Sequence, residues 1–466
     1  MANLDNTHIT KLKDLINGAV DDIIAEYAAI GHAVPSLDTV EPGPFLVPEA
    51  VPVRMRKAVQ IIEAACAQLS CTVALPGSVL LDKALVIEEP ACLQVVTEAR
   101  IADLLLDKPE GLAASELADL SGLDKAKLTR ILRFLATKHC FKEVAPGVFA
   151  NNRLSVRLLS SDTSSIIGLI TDEGLNAASY LNEFLTSRSE AENDSPFKRW
   201  SGHQLFEFYL TEQGRGRGKR FIRAMSAWGD ATGKGFLSKV YPWESKPKDT
   251  TICDVGGGNG WVSMSLLKSQ PHLRVILQDQ PQVIEKAKEL WTTELPVAIE
   301  QGKVQFTPFD FLKDAAAEGC DFYYLRNILH NWRNTDCELI LKNIRKSMKP
   351  DSKLLLDEYV LMEPCRTLGG DSRDLDLAPT PLLPNYGAGR IRSYNMDILM
   401  MSLLGSQERT LNEFVALWCV IYPSIRMKFV ILIGDLLILA NSEKCGFEFS
   451  KLYEAGEMDL LEFTPI

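Results

Sequence analysis

Residues 250–261 read Thr-Thr-Ile-Cys-Asp-Val-Gly-Gly-Gly-Asn-Gly-Trp. An apolar run stops on glycines and passes into a helical pattern at Trp261, which is how a buried strand, a tight turn and a helix open a nucleotide-binding α/β sheet. Two common loops are excluded by spacing. A dinucleotide fingerprint G-x-G-x-x-G counted from Gly256 needs a third glycine where Trp261 stands. Counted from Gly257, it meets Asn259 and Val262. No Lys-Ser/Thr follows, so the loop is not a phosphate cradle of the P-loop kind. What remains is D-x-G-x-G-x-G, in which glycines at 256, 258 and 260 let the backbone approach a ligand with no Cβ in the way.

Downstream, strands and helices alternate. A helix is predicted over Trp261–Ser269, a strand over Leu273–Asp279 and a helix over Gln282–Trp291. Strands follow at Lys303–Asp310, Asp321–Arg326 and Ser352–Leu361, with a helix over Thr335–Met348. Two closing strands are expected at Phe447–Tyr453 and Met458–Thr464. Such alternation predicts a parallel, doubly wound sheet, with ligands at the carboxyl ends of its strands. The second strand ends in Asp279, placed to take both hydroxyls of a ribose. The third ends in Asp310-Phe311, placed for the edge and face of adenine. Adenosine without a pyrophosphate clamp suits this set, and S-adenosylmethionine is such a ligand. Its cationic amino-acid end tolerates an acidic neighbour, for which Asp254 is expected.

Of the six histidines, His330 alone follows a strand of this sheet on its carboxyl side. Glu358 ends the next strand, and Glu408 precedes the next helix. A carboxylate on one imidazole nitrogen fixes the tautomer and leaves the other to accept a proton. A base so placed lowers the cost of ionising a phenol, whose pKa is about 10. Taken singly, each of the three residues reads as core or surface; together they read as a catalytic set, with no metal called for.

Upstream of the glycine loop the chain is helical. Residues 1–90 carry apolar periodicity at Leu12, Leu15, Ile16 and Val20 and again over Ala58–Leu69. Residues 91–165 run helix (Cys92–Leu105), helix and glycine turn (Gly111–Leu123), helix (Asp124–Cys140) and hairpin (Phe141–Asn152), a winged-helix pattern. Lys125, Lys127, Arg130 and Arg133 allow a DNA-binding reading. The net charge of −11 disfavours it, because a phosphate grip needs clustered cations. Packing is the stronger reading. Residues 166–245 are rich in large side chains, and 246–466 form the catalytic domain. The ten cysteines contain no C-x-x-C pair and sit mostly in apolar surroundings. The amino-terminal stretch has no signal-peptide core. A reducing, cytoplasmic setting is expected, with no nucleic acid and no membrane as partner.

At these residues the chain resembles the class I small-molecule O-methyltransferases, the caffeate/sterigmatocystin type of plants and fungi. DVGGGNG (254–260), LQDQPQVI (277–284), FTPFDFL (306–312), LRNILHNWRNTDC (325–337), LLLDEYVL (354–361) and QERTLNEF (407–414) match that family's motifs in order. The resemblance implies an α/β fold, a Rossmann-like doubly wound methyltransferase sheet with an amino-terminal helical winged-helix dimerisation domain. It implies a homodimer acting on a small phenolic or aromatic acceptor. His330 is then the base, flanked by Glu358 and Glu408. Gly256, Gly258, Asp279, Asp310, Phe311 and Arg326 correspond to cofactor contacts, and Trp332 to the residue against adenine. Phe197, Met225 and Trp228 fall where the family lines its acceptor pocket. Relatives that use the bound cofactor as a cation for cyclisation, without methyl transfer, are the alternative within the same fold; a retained phenol base argues against them.

Two departures stand out. Asn331 follows the histidine where the family often has Asp, which removes a charge near the base. Trp418–Ser442 (WCVIYPSIRMKFVILIGDLLILANS) separates two elements that the family joins directly. Pro423, Arg426, Lys428 and Asp435 interrupt it, so no uncharged run approaches the ~20 residues that span a bilayer. It reads as an insertion, of the kind an unspliced intron leaves, and sequencing the transcript tests that.

Overall fold

The computed structural model describes residues 6–160, 163–187, 194–366, 376–418 and 446–465. The chain divides into two compact units, Met1–Ala231 with Met401–Gly405, and Thr232–Met400 with Ser406–Ile466.

In the second unit one sheet contains seven strands. They are β1 (Thr251–Val255), β2 (Arg274–Asp279), β3 (Val304–Pro308), β4 (Phe322–Arg326), β5 (Lys353–Glu358), β6 (Phe447–Ala455) and β7 (Met458–Pro465). Their order is β6-β7-β5-β4-β1-β2-β3. β1 pairs in parallel with β2 and β4, β2 with β3, and β4 with β5. β7 runs antiparallel to both β5 and β6. The sheet is therefore mixed rather than wholly parallel, as the strand–helix alternation alone suggests. The reason is the connection: only Gly456-Glu457 join β6 to β7, and so short a link makes a hairpin, whereas a parallel pair needs a long crossover.

Side chains alternate along each strand, and both faces are covered. Cys253, Tyr323, Leu325, Leu354 and Leu356 enter one core cluster. Ile252, Phe322, Tyr324 and Leu355 enter the other. Continuous apolar strands are what a sheet buried on both faces requires. The strand order reverses beside β1, so the loops leaving β1 and β4 are neighbours at the switch point. Those are the glycine loop and the His330 turn.

The first unit is mostly helical, beginning with the long helices Thr7–Ala29 and Val53–Val73. The winged-helix pattern is present. Helix Ala114–Ser121 ends on Gly122 at φ +73°, and helix Lys125–Thr137 is capped by Asp124, whose Oδ1 accepts from Lys127 N–H at 2.9 Å. Strands Lys142–Ala145 and Val148–Ala150 form the wing. Leu128, Leu132 and Leu135 are buried. Arg133 is tied to Glu143 through two hydrogen bonds of 3.0 and 2.7 Å, so it serves the module's own packing.

Two predicted elements are interrupted. The helix expected over Cys92–Leu105 is two helices, Glu88–Glu98 and Ile101–Leu104, because Arg100 adopts a left-handed φ of 54° between them. The strand expected over Ser352–Leu361 leaves the sheet at Glu358, and Val360–Leu361 pair instead with Arg409–Thr410. The insertion read at Trp418–Ser442 lies, beyond Trp418, outside the described residues. Among the described residues no helix is long and apolar enough to cross a membrane.

Candidate active site

The turn Leu329–Asn331, which leaves β4, carries His330. The imidazole is buried, and its Nδ1 lies 2.8 Å from Glu408 Oε1. With Glu408 ionised, the bonded nitrogen is the donor, and Nε2 keeps its lone pair. Glu358, fully buried at the end of β5, accepts from the backbone N–H groups of Ile328 (2.9 Å) and Leu329 (2.8 Å) through one oxygen. Its other oxygen, like Oε2 of Glu408, is buried without a hydrogen-bond partner among the described residues. One donor atom from each of the three residues lies within 4.8 Å of the others. These residue types also suit a metal ion, although the Nδ1–Glu408 bond takes up one nitrogen and one carboxylate oxygen of the set.

Charge at this centre is finely opposed. Burial alone depresses the pKa of His330, but the charge and hydrogen bond of Glu408, aided by Glu358, outweigh it and hold the ring above the ordinary imidazole value. Burial pushes Glu358 up to about 7, with Glu408 adding to the rise and His330 and two backbone donors opposing it.

The glycine loop satisfies the requirements of an adenosine site. Gly256, Gly258 and Gly260 all have positive φ (71°, 60° and 75°). Among the described residues a Cβ on Gly258 would meet nothing within 4 Å, so the backbone there is open to a ligand. Asp279 closes the loop, accepting from Gly258 N–H at 2.8 Å and Gln280 N–H at 2.7 Å. Asp254 is buried beneath it and accepts from Ser263 Oγ at 2.5 Å. Burial raises Asp254 to about 7 and also raises Asp279. Two desolvated acids around an open backbone cradle fit a ligand that brings positive charge, as the sulfonium and ammonium of S-adenosylmethionine do.

The remaining expected residues fall as follows. Asp310, at the end of the segment leaving β3, accepts from Leu312 N–H and pairs with Lys313, which holds it below the usual carboxylate range. Phe311 meets Trp332 edge to face, with centroids 5.6 Å apart. This joins the segment after β3 to the turn that carries His330. Arg326 ends β4 and reaches Thr232 Oγ1 (2.9 Å) and Asp357 (3.4 Å). Phe197, Met225 and Trp228 belong to the first unit. Phe197 is fully buried between Trp200 and Phe208, Met225 is exposed, and Trp228 packs against the cluster of Ile166, Leu169 and Ala224. Sequence reading missed Ser263 and Asp397. Oδ1 of Asp397 accepts from Glu408 N–H at 2.9 Å and steadies the acid on His330. Ser263 falls on the inner face of the helix after the loop, a signal that periodicity alone does not distinguish from core packing.

Comparison with known proteins gives the family. Residues 180–375 match the model of an O-methyltransferase domain, and residues 83–161 match an O-methyltransferase dimerisation domain. The 3-O-methyltransferase 2 of Phanerochaete chrysosporium is 42% identical over 465 residues, 98% of this chain and 97% of its own. The chain belongs to the O-methyltransferase family. The methyltransferase is also 31% identical to the sterigmatocystin 8-O-methyltransferase of Aspergillus flavus, over 64% of this chain and 69% of that one. Among solved structures, human N-acetylserotonin methyltransferase in complex with S-adenosylmethionine aligns with a TM-score of 0.62 at 19% identity, covering 84% of this chain and 98% of that one. A pericyclic reaction enzyme aligns at 0.69 and 19% identity, covering 96% and 99%. At such identity these two establish the fold alone. The methyltransferase uses S-adenosylmethionine, and the segment read as a winged helix is its dimerisation module.

Proposed function

We propose that the methyltransferase acts as a homodimer on a hydroxyl of a phenolic or otherwise aromatic secondary metabolite, with His330 as general base. The observation that carries this is the buried imidazole held by Glu408 at 2.8 Å on one nitrogen, next to the unpartnered oxygen of Glu358. Bound S-adenosylmethionine supplies a methyl carbon activated by a cationic sulfur.

The chain's residues do the rest. Nε2 of His330 would take the proton of the hydroxyl that receives the methyl group. The imidazolium so formed sits between two acids and is stabilised by them. Gly258 and Asp279 seat the nucleoside, Asp254 faces its amino-acid end, and Phe311 and Trp332 take the adenine. Arg326 fixes the end of β4. Holding oxygen, methyl carbon and sulfur in line is a proximity effect of up to several kcal/mol. Phe197, Met225 and Trp228 are assigned to the acceptor side by family resemblance. The named relatives that methylate oxygen favour methyl transfer over cyclisation, and the match of 83–161 to a dimerisation domain favours scaffold over DNA reader.

The test is His330→Ala. Calorimetry should show S-adenosylmethionine binding within a few-fold of the parent. Methylation across a panel of phenols should fall by about 10²–10⁴-fold, the range of general-base catalysis. Near-normal turnover in the variant removes His330 from the mechanism.

A further inference from the structure

We infer that Arg409 is a positioning residue for the base: its guanidinium clamps the turn that carries His330 at both ends. Arg409 is fully buried, an unusual place for a cation. Its Nη1 donates to the Leu329 carbonyl and its Nη2 to the Trp332 carbonyl, both at 2.9 Å. Those two carbonyls bracket His330-Asn331. Nη2 and Nε also donate to Asn334 Oδ1, at 2.9 and 3.2 Å, and Nη2 lies 3.4 Å from Cys337 Sγ.

The turn makes only two backbone bonds of its own, Asn331 N–H to the Ile328 carbonyl and Trp332 N–H to the Leu329 carbonyl, and any buried backbone group left open is costly. Here the donors and acceptors are met from opposite sides. Glu358 takes the N–H groups of Ile328 and Leu329, and Arg409 takes the carbonyls of Leu329 and Trp332. The clamp is itself fixed, because Arg409 pairs with Val360 just beyond Glu358, and Asp397 holds the N–H of Glu408. One short segment thus supplies both the acid on His330 Nδ1 and the fork around its backbone. Lysine cannot replace the fork, since a single ammonium does not span two carbonyls and an amide in fixed planar geometry.

Arg409 has a second effect through charge. The groups acting on His330 are Glu358 from β5 and Glu408 and Arg409 from the segment before helix Leu411–Trp418. Asp397 stands behind Glu408, and on helix Asn334–Arg345 the thiol of Cys337 touches Arg409, with Asp336 acting on that thiol. Arg409 opposes protonation of the ring that the two acids promote. It keeps the base available as well as aimed.

The inference rests on His330 being the base, and the experiment separates the two. His330 is titrated by NMR in the full-length protein carrying ¹³C-labelled histidine rings and saturated with S-adenosylhomocysteine, with its signal assigned by loss in His330→Ala. Parent, Arg409→Lys and Arg409→Met are compared, and kcat and KM are measured with a phenol from the panel. Arg409→Lys should titrate close to the parent yet lose about tenfold in kcat, with acceptor KM within about twofold, as misplacement of a reacting group does. Arg409→Met should lose about a hundredfold and titrate higher, since a nearby cation has gone. Parental kcat in Arg409→Lys, or a parental midpoint in Arg409→Met, overturns the inference. Should Arg409→Met not fold, the kcat-against-KM split of Arg409→Lys decides. The titration needs no acceptor, so its result stands even if no phenol in the panel is methylated.

Discussion

As the proposed base, His330 must be neutral to accept a proton, yet two acids favour its protonated form. The ring's pKa is raised, so activity should be lost as pH falls through a midpoint above the ordinary imidazole value of about 6.5. Glu408→Gln tests the cause. Glutamine can still accept from Nδ1–H through its carbonyl oxygen, but the charge that raises the ring is gone. The acid limb of the pH–rate profile should move to lower pH. The plateau rate should drop by about tenfold or more, because the imidazolium formed during transfer loses a stabilising charge. An acid limb that stays in place would show that another group titrates there.

At the scale of elements, the glycine loop and the His330 turn are mechanically joined. A Cβ on Gly256 would stand 2.7 Å from Ile328 Cδ1, on the residue just before that turn, and 3.4 Å from Phe311. Gly256→Ala should therefore displace both Phe311 and the turn that carries His330, lowering cofactor affinity and kcat together. Gly258→Ala makes a sharper contrast. Its Cβ meets nothing within 4 Å, although its φ of 60° costs an L side chain about 1 kcal/mol. It should lower stability only slightly while weakening S-adenosylmethionine by about tenfold or more in calorimetry, because the added methyl fills the cradle. Unchanged affinity would mean that the nucleoside lies elsewhere.

These contacts also explain what was legible in the sequence. Strands of the sheet and the helix Trp261–Ser269 were readable because each is apolar or periodic on its own. His330 and Glu358 could be singled out because one follows and the other closes a strand of the sheet, and Glu408 because it stands just before a helix. Arg409 and Ser263 were not, since their roles come from partners distant in sequence: Leu329 and Trp332 for one, Asp254 for the other. The break of the strand after Glu358 was likewise hidden, because Val360–Leu361 remain apolar while pairing with Arg409–Thr410.

For the molecule as a whole, the buried acids of the second unit set how stability follows pH. Burial raises Asp254, Glu358 and Asp459 each to about 7, against about 4 in an unfolded chain. A carboxyl with a raised folded pKa binds its proton more tightly in the native state. Stability is then greatest below the unfolded value and falls as pH climbs to the folded one. The raised pKa of His330 acts in the same direction, its contribution being present at low pH and lost as pH rises through its folded value. The opposing groups, Glu143 at about 2 and the lowered Asp172 and Asp310, act in a different window, adding stability above about pH 4 and losing it below. Between pH 5 and 7.5 the trends therefore do not cancel. The melting temperature of the protein without cofactor should decline steadily across that interval. S-adenosylmethionine should flatten the decline, because a cation beside Asp254 favours its ionised form, so affinity itself should rise with pH up to about 7. Differential scanning fluorimetry across this range, with and without cofactor, makes the check. A melting temperature that rises from pH 5 to 7.5 without cofactor would mean that these acids are solvated, and the argument for a cation-seeking cradle would fall with it.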